Sequence, residues 1–293
     1  LEVLDDRWPQ ERPVPGLPRW PQARAMHYTS GTTGRSKGVY SGMLGVAGGH
    51  ALCEDERTVW GFRPDDVHLV ASALYHSGPH RFAANTLLYG GRVVVLPRFD
   101  AGAALAAIAR ERVTTTFVVP THLARMLDHP DFAATDLSSL RWVAHAGAPC
   151  PEPLKRRIVD AFPPGVVWEF YGSTEGQFTA IGPDEWRRRP GSVGRARAGR
   201  ELLVVDDGGR RLPAGEVGDV YCTPRPSHAS PTGAPRTRPL PRGGATRSPS
   251  ATSAASTTTA TCGSRGAAAT SSSAGVSTST RPRSSASSPP ARG

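Results

Sequence analysis

The sequence predicts an α/β protein built around a mainly parallel β-sheet. β-rich segments alternate with helical segments from VHLVASAL (67–74) to VVWEFYG (166–172). Successive segments of this kind indicate β-α-β units, in which helices cover both faces of the sheet. The chain has 293 residues and is 38% hydrophobic, so it can form one large or two small domains with a core.

The individual elements follow from local residue patterns. Runs rich in apolar and β-branched residues predict strands at 67–74, 92–97, 114–120, 140–147 and 166–172. Four other segments have helical composition: 81–91, 100–113, 121–127 and 150–162. Asp100 is the predicted N-cap of the second of these helices, and Thr121 is the predicted start of the third.

Ligands are expected at one edge of this sheet. In α/β sheets with parallel strands, ligands bind outside the carboxyl ends of the strands. Those ends are predicted at residues 75–79, 120–121, 146–149 and 171–176. We therefore expect these four segments to converge on one crevice.

The segment HYTSGTTGRSKGVYSG (27–42) has the composition of a phosphate-binding loop. Its glycines let backbone N–H groups approach a ligand, its hydroxyls add donors, and Lys37 adds a positive charge. By composition alone, a solvated turn is an equally good interpretation. The segment is not a GxxxxGK[ST] loop, because Gly38 stands where that motif needs Ser or Thr.

The order of residues in this loop resembles the YTSGTTGxPKGV signature of the adenylate-forming superfamily. That superfamily contains acyl-CoA synthetases, luciferases and the adenylation domains of peptide synthetases. Only Ser36 departs from the signature, at a position where proline is usual. The resemblance implies that the loop binds the phosphates of ATP. The residues implied are Thr29, Ser30, Gly31, Thr32, Thr33, Gly34 and Lys37.

A second motif, YGSTEG (171–176), combines an aromatic ring, hydroxyl groups and a carboxylate. These are the parts of a nucleotide site, since Mg²⁺ prefers oxygen ligands and is held partly by phosphates. Taken alone, the hexamer is equally a turn after a strand. The resemblance implies that Tyr171, followed by Gly172, lies against adenine, that Thr174 contacts phosphate and that Glu175 binds Mg²⁺.

Two further segments resemble parts of the same family. HAGAPC (145–150) is similar to a small-residue segment along the adenosine, which implies contacts from Gly147, Ala148 and Pro149. LYHSGP (74–79) resembles the segment beside the acyl pocket and would place His76 near the substrate carboxylate. A single histidine is more often a hydrogen-bonded core residue than a catalyst. His145 and Gln177 are weaker pocket candidates.

The segments GSVGRA (191–196) and 202–221 resemble the small β-subdomain that ends the large N-terminal part of these enzymes. The DDGGR turn (206–210) is predicted as a hairpin without chemistry of its own, followed by the lead-in to a strand. The predicted fold class is therefore the incomplete large domain of an adenylate-forming enzyme, with mainly parallel sheets, flanking helices and a small β-subdomain. This domain is predicted over residues 1–222.

The resemblance implies a two-step reaction on a small carboxylic acid. The acid first attacks the α-phosphorus of ATP to give an acyl-adenylate and pyrophosphate, and a thiol, usually that of coenzyme A, then displaces AMP. Lys37, Thr174, Glu175 and His76 are the expected catalytic residues, with ATP, Mg²⁺ and coenzyme A as cofactor and co-substrates. LYHSGP and YGSTEGQFT favour an acid:CoA ligase, for fatty or other organic acids, over a peptide-synthetase domain. A non-catalytic nucleotide binder is the alternative from another class.

The composition changes sharply after Cys222. Residues 223–293 contain nine arginines but no lysine, acidic residue or aromatic residue, so nearly all of the formal charge of +10 lies there. Such a Ser/Thr/Ala/Pro/Arg tail is predicted to be disordered because it cannot bury a core. Its charge alone favours nucleic-acid binding, but the near-neutral body and the absence of aromatic residues for base stacking argue against that partner.

Read one base out of register, the codons of this tail are compatible with a different protein sequence. Shifted by one base, PSATSAAS (249–256) is compatible with TVGDLGRL, and TTTATCG (257–263) with DDDGYLW. Residues 270–285 are compatible with DLIVSAGVNVYPAEVE. These strings resemble the continuation of the family, which carries a ribose-binding Asp and later a catalytic Lys. Our hypothesis is that the tail is translated out of frame, the alternative being a natural linker, and little ligase turnover is expected of the chain as written.

The cysteines and the first residues of the chain indicate the expected cellular compartment. The four cysteines show neither CxxC pairs nor zinc-ligand spacing, which fits a reduced, cytoplasmic protein. The acidic, proline-rich start does not resemble a signal peptide, and no run approaches the roughly 20 apolar residues of a membrane span. The chain begins without methionine, which suggests a fragment or an alternative start.

Overall fold

The computed structural model describes residues 19–23, 25–29, 37–39, 43–174, 176–206, 208–224 and 261–263. The strands are β1 His27–Thr29, β2 Lys37–Val39, β3 Val67–Val70, β4 Arg92–Val95, β5 Thr115–Val118, β6 Trp142–His145, β7 Val167–Glu169, β8 Gly172–Ser173, β9 Gly176–Gln177, β10 Thr179–Ala180, β11 Ser192–Ala196, β12 Arg200–Val205, β13 Asp219–Pro224 and β14 Thr261–Gly263. The helices are α1 Gly45–Trp60, α2 Ser77–Leu88, α3 Ala101–Glu111, α4 Pro120–Leu127, α5 Glu152–Ala161 and α6 Pro183–Arg188, with a 3-10 turn at Pro130–Ala134.

A five-stranded parallel sheet forms the centre, in the order β4-β3-β5-β6-β7. Every residue of β5 and β6 is buried, as expected for inner strands covered on both faces. The predicted α/β class with a parallel sheet is confirmed. Since all five strands run the same way, the segments that follow β3, β5, β6 and β7 leave the sheet at the same edge.

Two different cores fill the faces of the sheet. On one face α3, α4 and α5 bury an aliphatic cluster that includes Leu105, Ile108, Leu123 and Ile158. On the other face α1 and α2 cover an aromatic cluster. Its members include Trp60, Phe62, Phe82, Phe117, Trp142 and Phe170. Successive side chains of a strand point to opposite faces of the sheet, so neighbouring residues of one strand contribute to different cores.

The structure corrects three predicted boundaries. β3 ends at Val70 rather than at residue 74, and α2 begins at Ser77 rather than at residue 81. α4 begins at Pro120 with Val119 as its N-cap, so the prediction that Thr121 starts this helix is wrong. Proline suits the first helical position because its fixed φ is helical and its missing N–H is not needed there.

Asp100 is confirmed as the N-cap of α3, where its Oδ1 accepts a hydrogen bond of 2.8 Å from the Ala103 N–H. The β-rich segment at 191–224 is also present. β12 and β13 pair antiparallel, and the Asp206 N–H donates to the Arg210 carbonyl at 2.9 Å in the predicted turn. None of the described helices is long and apolar enough to cross a membrane.

β14 lies in the segment for which the sequence predicts a disordered tail. It pairs antiparallel with β11, with Arg195 opposite Thr261. Residues 225–260 and 264–293 lie outside the described residues. The boundary after residue 222 and the disorder of the tail therefore stay predictions.

Candidate functional site

The segment after β6 has a glycine at its second position, where the backbone conformation requires one. Gly147 has φ 84°, a left-handed conformation that side chains disfavour. Gly147, Ala148 and Pro149 are all exposed at the edge of the sheet. The backbone here is open to a ligand, as the predicted adenosine contact needs, and that contact stays a prediction.

The YGSTEG motif forms a tight hairpin after β7. Gly172 pairs with Gln177, and a Cβ at Gly172 would lie 2.4 Å from the Gly176 carbonyl oxygen, so only glycine fits. The Tyr171 N–H donates to Thr179 Oγ1 at 3.1 Å, and Tyr171 is 37% exposed. The predicted Mg²⁺ ligand Glu175 lies outside the described residues.

The predicted phosphate loop is described only at its two ends. β1 and β2 pair antiparallel with Thr29 opposite Lys37, so the strands close the base of the loop. Residues 30–36 lie outside the described residues, and with them the predicted contacts of Ser30, Gly31, Thr32, Thr33 and Gly34. The roles assigned to Thr29 and Lys37 stay predictions too.

A cavity of about 330 Å³ is lined by residues of two of the four predicted segments, 75–79 and 171–176, and by no residue of 120–121 or 146–149. Its walls come from α1, α2, the β1–β2 hairpin and Thr174. Ser77, the residue after His76, and His27, the first residue of the loop motif, both line it. Thr174 and the LYHSGP segment therefore share one cavity. His76 itself is exposed at the N-cap of α2, and residues 147–149 are not part of the cavity wall.

The β1–β2 hairpin is held against the start of α2 by histidine contacts. His27 Nδ1 lies 3.3 Å from the Tyr75 carbonyl oxygen, and the His27 and His80 rings are 5.4 Å apart. Burial, and then the charges of His27 and Arg81, lower the pKa of His80 below its ordinary value. His80 is thus a neutral ring in the cavity wall at pH 7.

A buried polar group, which we call the Glu56 cluster (Asp55, Glu56, Gln177 and Arg197), lies behind this wall. Arg197 Nη1 donates to Gln177 Oε1 at 3.0 Å and to Glu56 Oε1 at 3.3 Å, and Nη2 donates to the Asp55 carbonyl at 2.9 Å. Trp60 Nε1 also donates to Gln177 Oε1, at 2.9 Å. Gln177 is 3% exposed and does not line the cavity, so it joins α1 to β9 rather than contacting a ligand there.

A second buried group lies beneath the sheet edge and consists of His145, Lys155 and Glu169. Lys155 Nζ bonds His145 Nε2 and lies 3.2 Å from Glu169 Oε2. Lys155 is 1% exposed and His145 is fully buried; His145 is not in the wall of the cavity described above, and its role as a pocket residue stays a prediction. Burial, opposed by Lys155, raises the pKa of Glu169, and burial, opposed by Glu169, lowers that of Lys155.

This triad joins the two strands that carry predicted nucleotide segments. His145 ends β6 just before residues 146–149, and Glu169 ends β7 just before Tyr171. Lys155 reaches both from α5. Sequence reasoning missed Lys155 and Glu169. The available signal was a carboxylate inside the otherwise apolar strand VVWEF.

No group of three or more His, Cys, Asp or Glu side chains is arranged to hold a metal ion in the part of the chain that the structure describes. The one predicted metal ligand, Glu175, is outside that part. The Mg²⁺ site therefore stays a prediction.

Comparison with known proteins decides the family. The model of a family described as AMP-binding enzyme matches residues 4–225. The chain belongs to the AMP-binding enzyme family. Among its relatives, an indoleacetate–CoA ligase of Aromatoleum aromaticum is 34% identical over 72% of this chain and 42% of the relative. A feruloyl-CoA synthase of Amycolatopsis is 34% identical over 75% of this chain and 43% of the relative.

Solved structures of AMP-binding enzymes agree with the fold. The amide bond synthetase McbA of Marinactinospora thermotolerans superposes with a TM-score of 0.61 at 33% identity, covering 68% of this chain and 40% of that protein. The chain thus spans about two fifths of the length of the proteins it matches. The family suggested by the two sequence motifs is confirmed.

Histidine burial makes the stability of this domain pH-dependent. Burial lowers the pKa of His68 to about 3 and that of His122 to about 4, and burial with the Lys155 charge lowers that of His145 well below its usual value. Below about pH 6.5 the unfolded chain therefore binds more protons than the folded chain. We expect the free energy of unfolding to be highest above pH 6.5 and to fall toward pH 4, by at most ~1.4 kcal/mol per pH unit for each buried histidine.

Urea unfolding between pH 7.5 and 5 measures this slope. The control is His68→Phe, which removes one titrating ring from the aromatic cluster, where His68 stacks 6.1 Å from Phe82. The variant should lose less stability on acidification than the wild type. A free energy of unfolding that is constant or rises between pH 6.5 and 5 would contradict the prediction.

Proposed function

We propose that this protein is part of an acid–thiol ligase that activates a small carboxylic acid with ATP as an acyl-adenylate and transfers the acyl group to coenzyme A. The observation that carries the proposal is the shared cavity of Thr174 and the LYHSGP segment at the carboxyl edge of the sheet. An acid in this cavity would have its carboxylate beside the residue expected to contact phosphate. Membership in a family that includes CoA ligases supports the same reaction.

The proposed role of each residue follows from its position in the fold. The loop between β1 and β2, with Lys37 at its base, would bind the β- and γ-phosphates, and Thr174 would hold the α-phosphate through its hydroxyl. Tyr171 would cover one face of adenine, with residues 147–149 along the adenosine. Hydrogen bonds to the phosphate oxygens stabilise the charge that develops as pyrophosphate leaves. Mg²⁺, if held by Glu175, would supply further stabilisation of phosphate charge.

Two acceptors are candidates for the second step. The relatives named as CoA ligases favour coenzyme A. The neighbour named as an amide bond synthetase makes an amine acceptor the second candidate. Incubating a preformed acyl-adenylate with either acceptor and assaying for thioester or amide distinguishes the two.

Nucleotide binding gives the direct test of the site. Thr174→Ala should weaken ATP binding about tenfold or more, because a hydrogen bond to a charged phosphate contributes about 1.5–3 kcal/mol. Thr174→Ser retains the hydroxyl and should bind ATP within about threefold of the wild type. Isothermal titration calorimetry measures both dissociation constants.

Two results would overturn the proposal in different ways. If the wild type does not bind ATP, or if Thr174→Ala binds ATP as tightly as the wild type, the proposed nucleotide site is wrong. ATP binding without formation of any acyl-adenylate by the protein translated in the corrected reading frame after Cys222 would favour the non-catalytic nucleotide binder.

A further inference from the structure

The buried triad of His145, Lys155 and Glu169 lies where two strands of the central sheet separate. His145 and Glu169 form the last residue pair of the β6–β7 ladder. The Phe170 N–H donates to the His145 carbonyl at 3.2 Å. After this bond the chain that follows β6 continues into α5, whereas the chain that follows β7 forms the β8–β9 hairpin. The triad therefore joins the two strands at the end of their backbone pairing.

One ammonium group contacts both side chains of this last pair. Lys155 Nζ bonds His145 Nε2 and lies 3.2 Å from Glu169 Oε2. The lysine is 1% exposed, and its Nζ lies over the ring of Trp186, which is itself buried. Because bulk water does not reach this position, the side-chain link between the two strand ends depends on Lys155.

The same link lies directly behind both segments that are expected to contact adenosine. His145 and Lys155 are ten positions apart, and residues 147–149 lie between them. On the neighbouring strand, Tyr171 follows Glu169 by two positions. Each of the two segments thus begins two positions after a member of the triad.

Stability alone does not account for charged side chains at this place. A buried ion pair contributes little more than an apolar pair of similar shape, because removing both charges from water costs about as much as their attraction returns. Buried side-chain networks can instead rigidify the elements that they join. A rigid link at the end of the β6–β7 ladder would fix how far apart the two following segments lie.

We propose that Lys155 is a positioning residue that holds residues 147–149 and Tyr171 at the spacing that adenosine requires. It touches no ligand and acts through His145 and Glu169. The inference rests on the proposed function, because it takes both segments as nucleotide contacts. Side chains that support a binding site in this way determine how well the site fits its ligand.

The double variant Lys155→Met/Glu169→Gln removes both charges of the link together. Since no uncompensated charge stays buried, it should fold, and urea unfolding checks this. Isothermal titration calorimetry of the full chain then compares ATP with pyrophosphate, which would use the β1–β2 loop but not the adenosine segments. We expect ATP to bind at least about fivefold more weakly than to the wild type, the low end of what stacking on an aromatic ring contributes. The affinity for pyrophosphate should be unchanged.

Arg156→Met is the matched control on α5. The ion pair of Arg156 with Glu152 is half exposed, so this variant should bind both ligands as the wild type does. If the double variant does not fold, Lys155→Arg replaces it. The planar guanidinium keeps a positive charge but presents its donors at other positions than the ammonium, so ATP binding should again weaken relative to pyrophosphate binding.

The outcomes separate the inference from the function on which it rests. If the wild type and the folded variant bind ATP equally tightly, Lys155 does not position the site, and the proposed function stands. If ATP and pyrophosphate binding weaken by the same factor, the triad acts only on the fold, and the inference is wrong. If the wild type does not bind ATP, both are wrong. A selective loss of ATP affinity in a folded variant supports the inference.

Discussion

Replacing Lys155 with methionine is expected to lower the free energy of unfolding by about 3–5 kcal/mol. Lys155 is 1% exposed, and its Nζ lies 3.2 Å from Glu169 Oε2 and bonds His145. Removing the cation leaves the carboxylate buried without a counter-charge, and this uncompensated charge, rather than the lost attraction, sets the size of the effect. Urea unfolding followed by tryptophan fluorescence measures the change.

Arg156→Met provides a matched control on the same helix. Its ion pair with Glu152 is half exposed, so its loss should cost less than about 1 kcal/mol. The pH dependence gives a second readout. Lys155→Met removes the charge that opposes the effect of burial, so the pKa of Glu169 rises further. The Glu169 carboxyl is then neutral at low pH, and the loss of unfolding free energy relative to the wild type should be larger at pH 8 than at pH 5. Equal unfolding free energies for Lys155→Met and Arg156→Met would show that the His145–Lys155–Glu169 triad does not stabilise the fold.

The second large effect concerns the reading frame after Cys222. Sequencing the gene across this codon is expected to reveal one missing or additional base. The family match ends at residue 225, close to the change in composition. The frame-corrected product should catalyse acid-dependent ATP–pyrophosphate exchange at least ~100-fold faster than the chain as written, since the added segment would supply a ribose-binding Asp and a further Lys.

The chain as written is the control for this measurement. Comparable exchange by the two proteins would refute the prediction. So would an unchanged gene sequence together with robust exchange by the present chain. A tail that supports no exchange in either frame would favour the alternative of a natural linker.

The sequence predicted the central sheet well because its strands are short apolar runs with clear boundaries. It missed α1, whose sequence GVAGGHALCEDERTVW contains glycines that disfavour helix. Tertiary packing explains why one of them is needed. A Cβ at Gly49 would lie 2.1 Å from the Pro21 carbonyl oxygen, so the close approach of the two segments requires glycine. α6 was missed because its six residues, four of them charged, resemble a loop.

The sequence motifs predicted part of the site. Residues that only tertiary contacts bring together were missed. Ser77 of LYHSGP and Thr174 of YGSTEG line one cavity, whereas the other two segments expected at the crevice, 120–121 and 146–149, do not. Nothing in the local sequence marks Glu56 as a partner of Arg197, because 141 residues separate them. The same holds for Lys155 and Glu169, whose pairing depends on how α5 packs against the sheet.

The long separation within the Glu56 cluster limits how this protein can be dissected. Asp55 and Glu56 leave the ribosome long before Arg197, so the Glu56 cluster behind the cavity wall cannot assemble until the chain has been made past β11. Any shortened version that stops before Arg197 would contain the central sheet but would leave Gln177 without its guanidinium partner and Glu56 with Arg81 alone. A piece that keeps the Glu56 cluster intact must therefore extend at least through Arg197, which follows β11 directly.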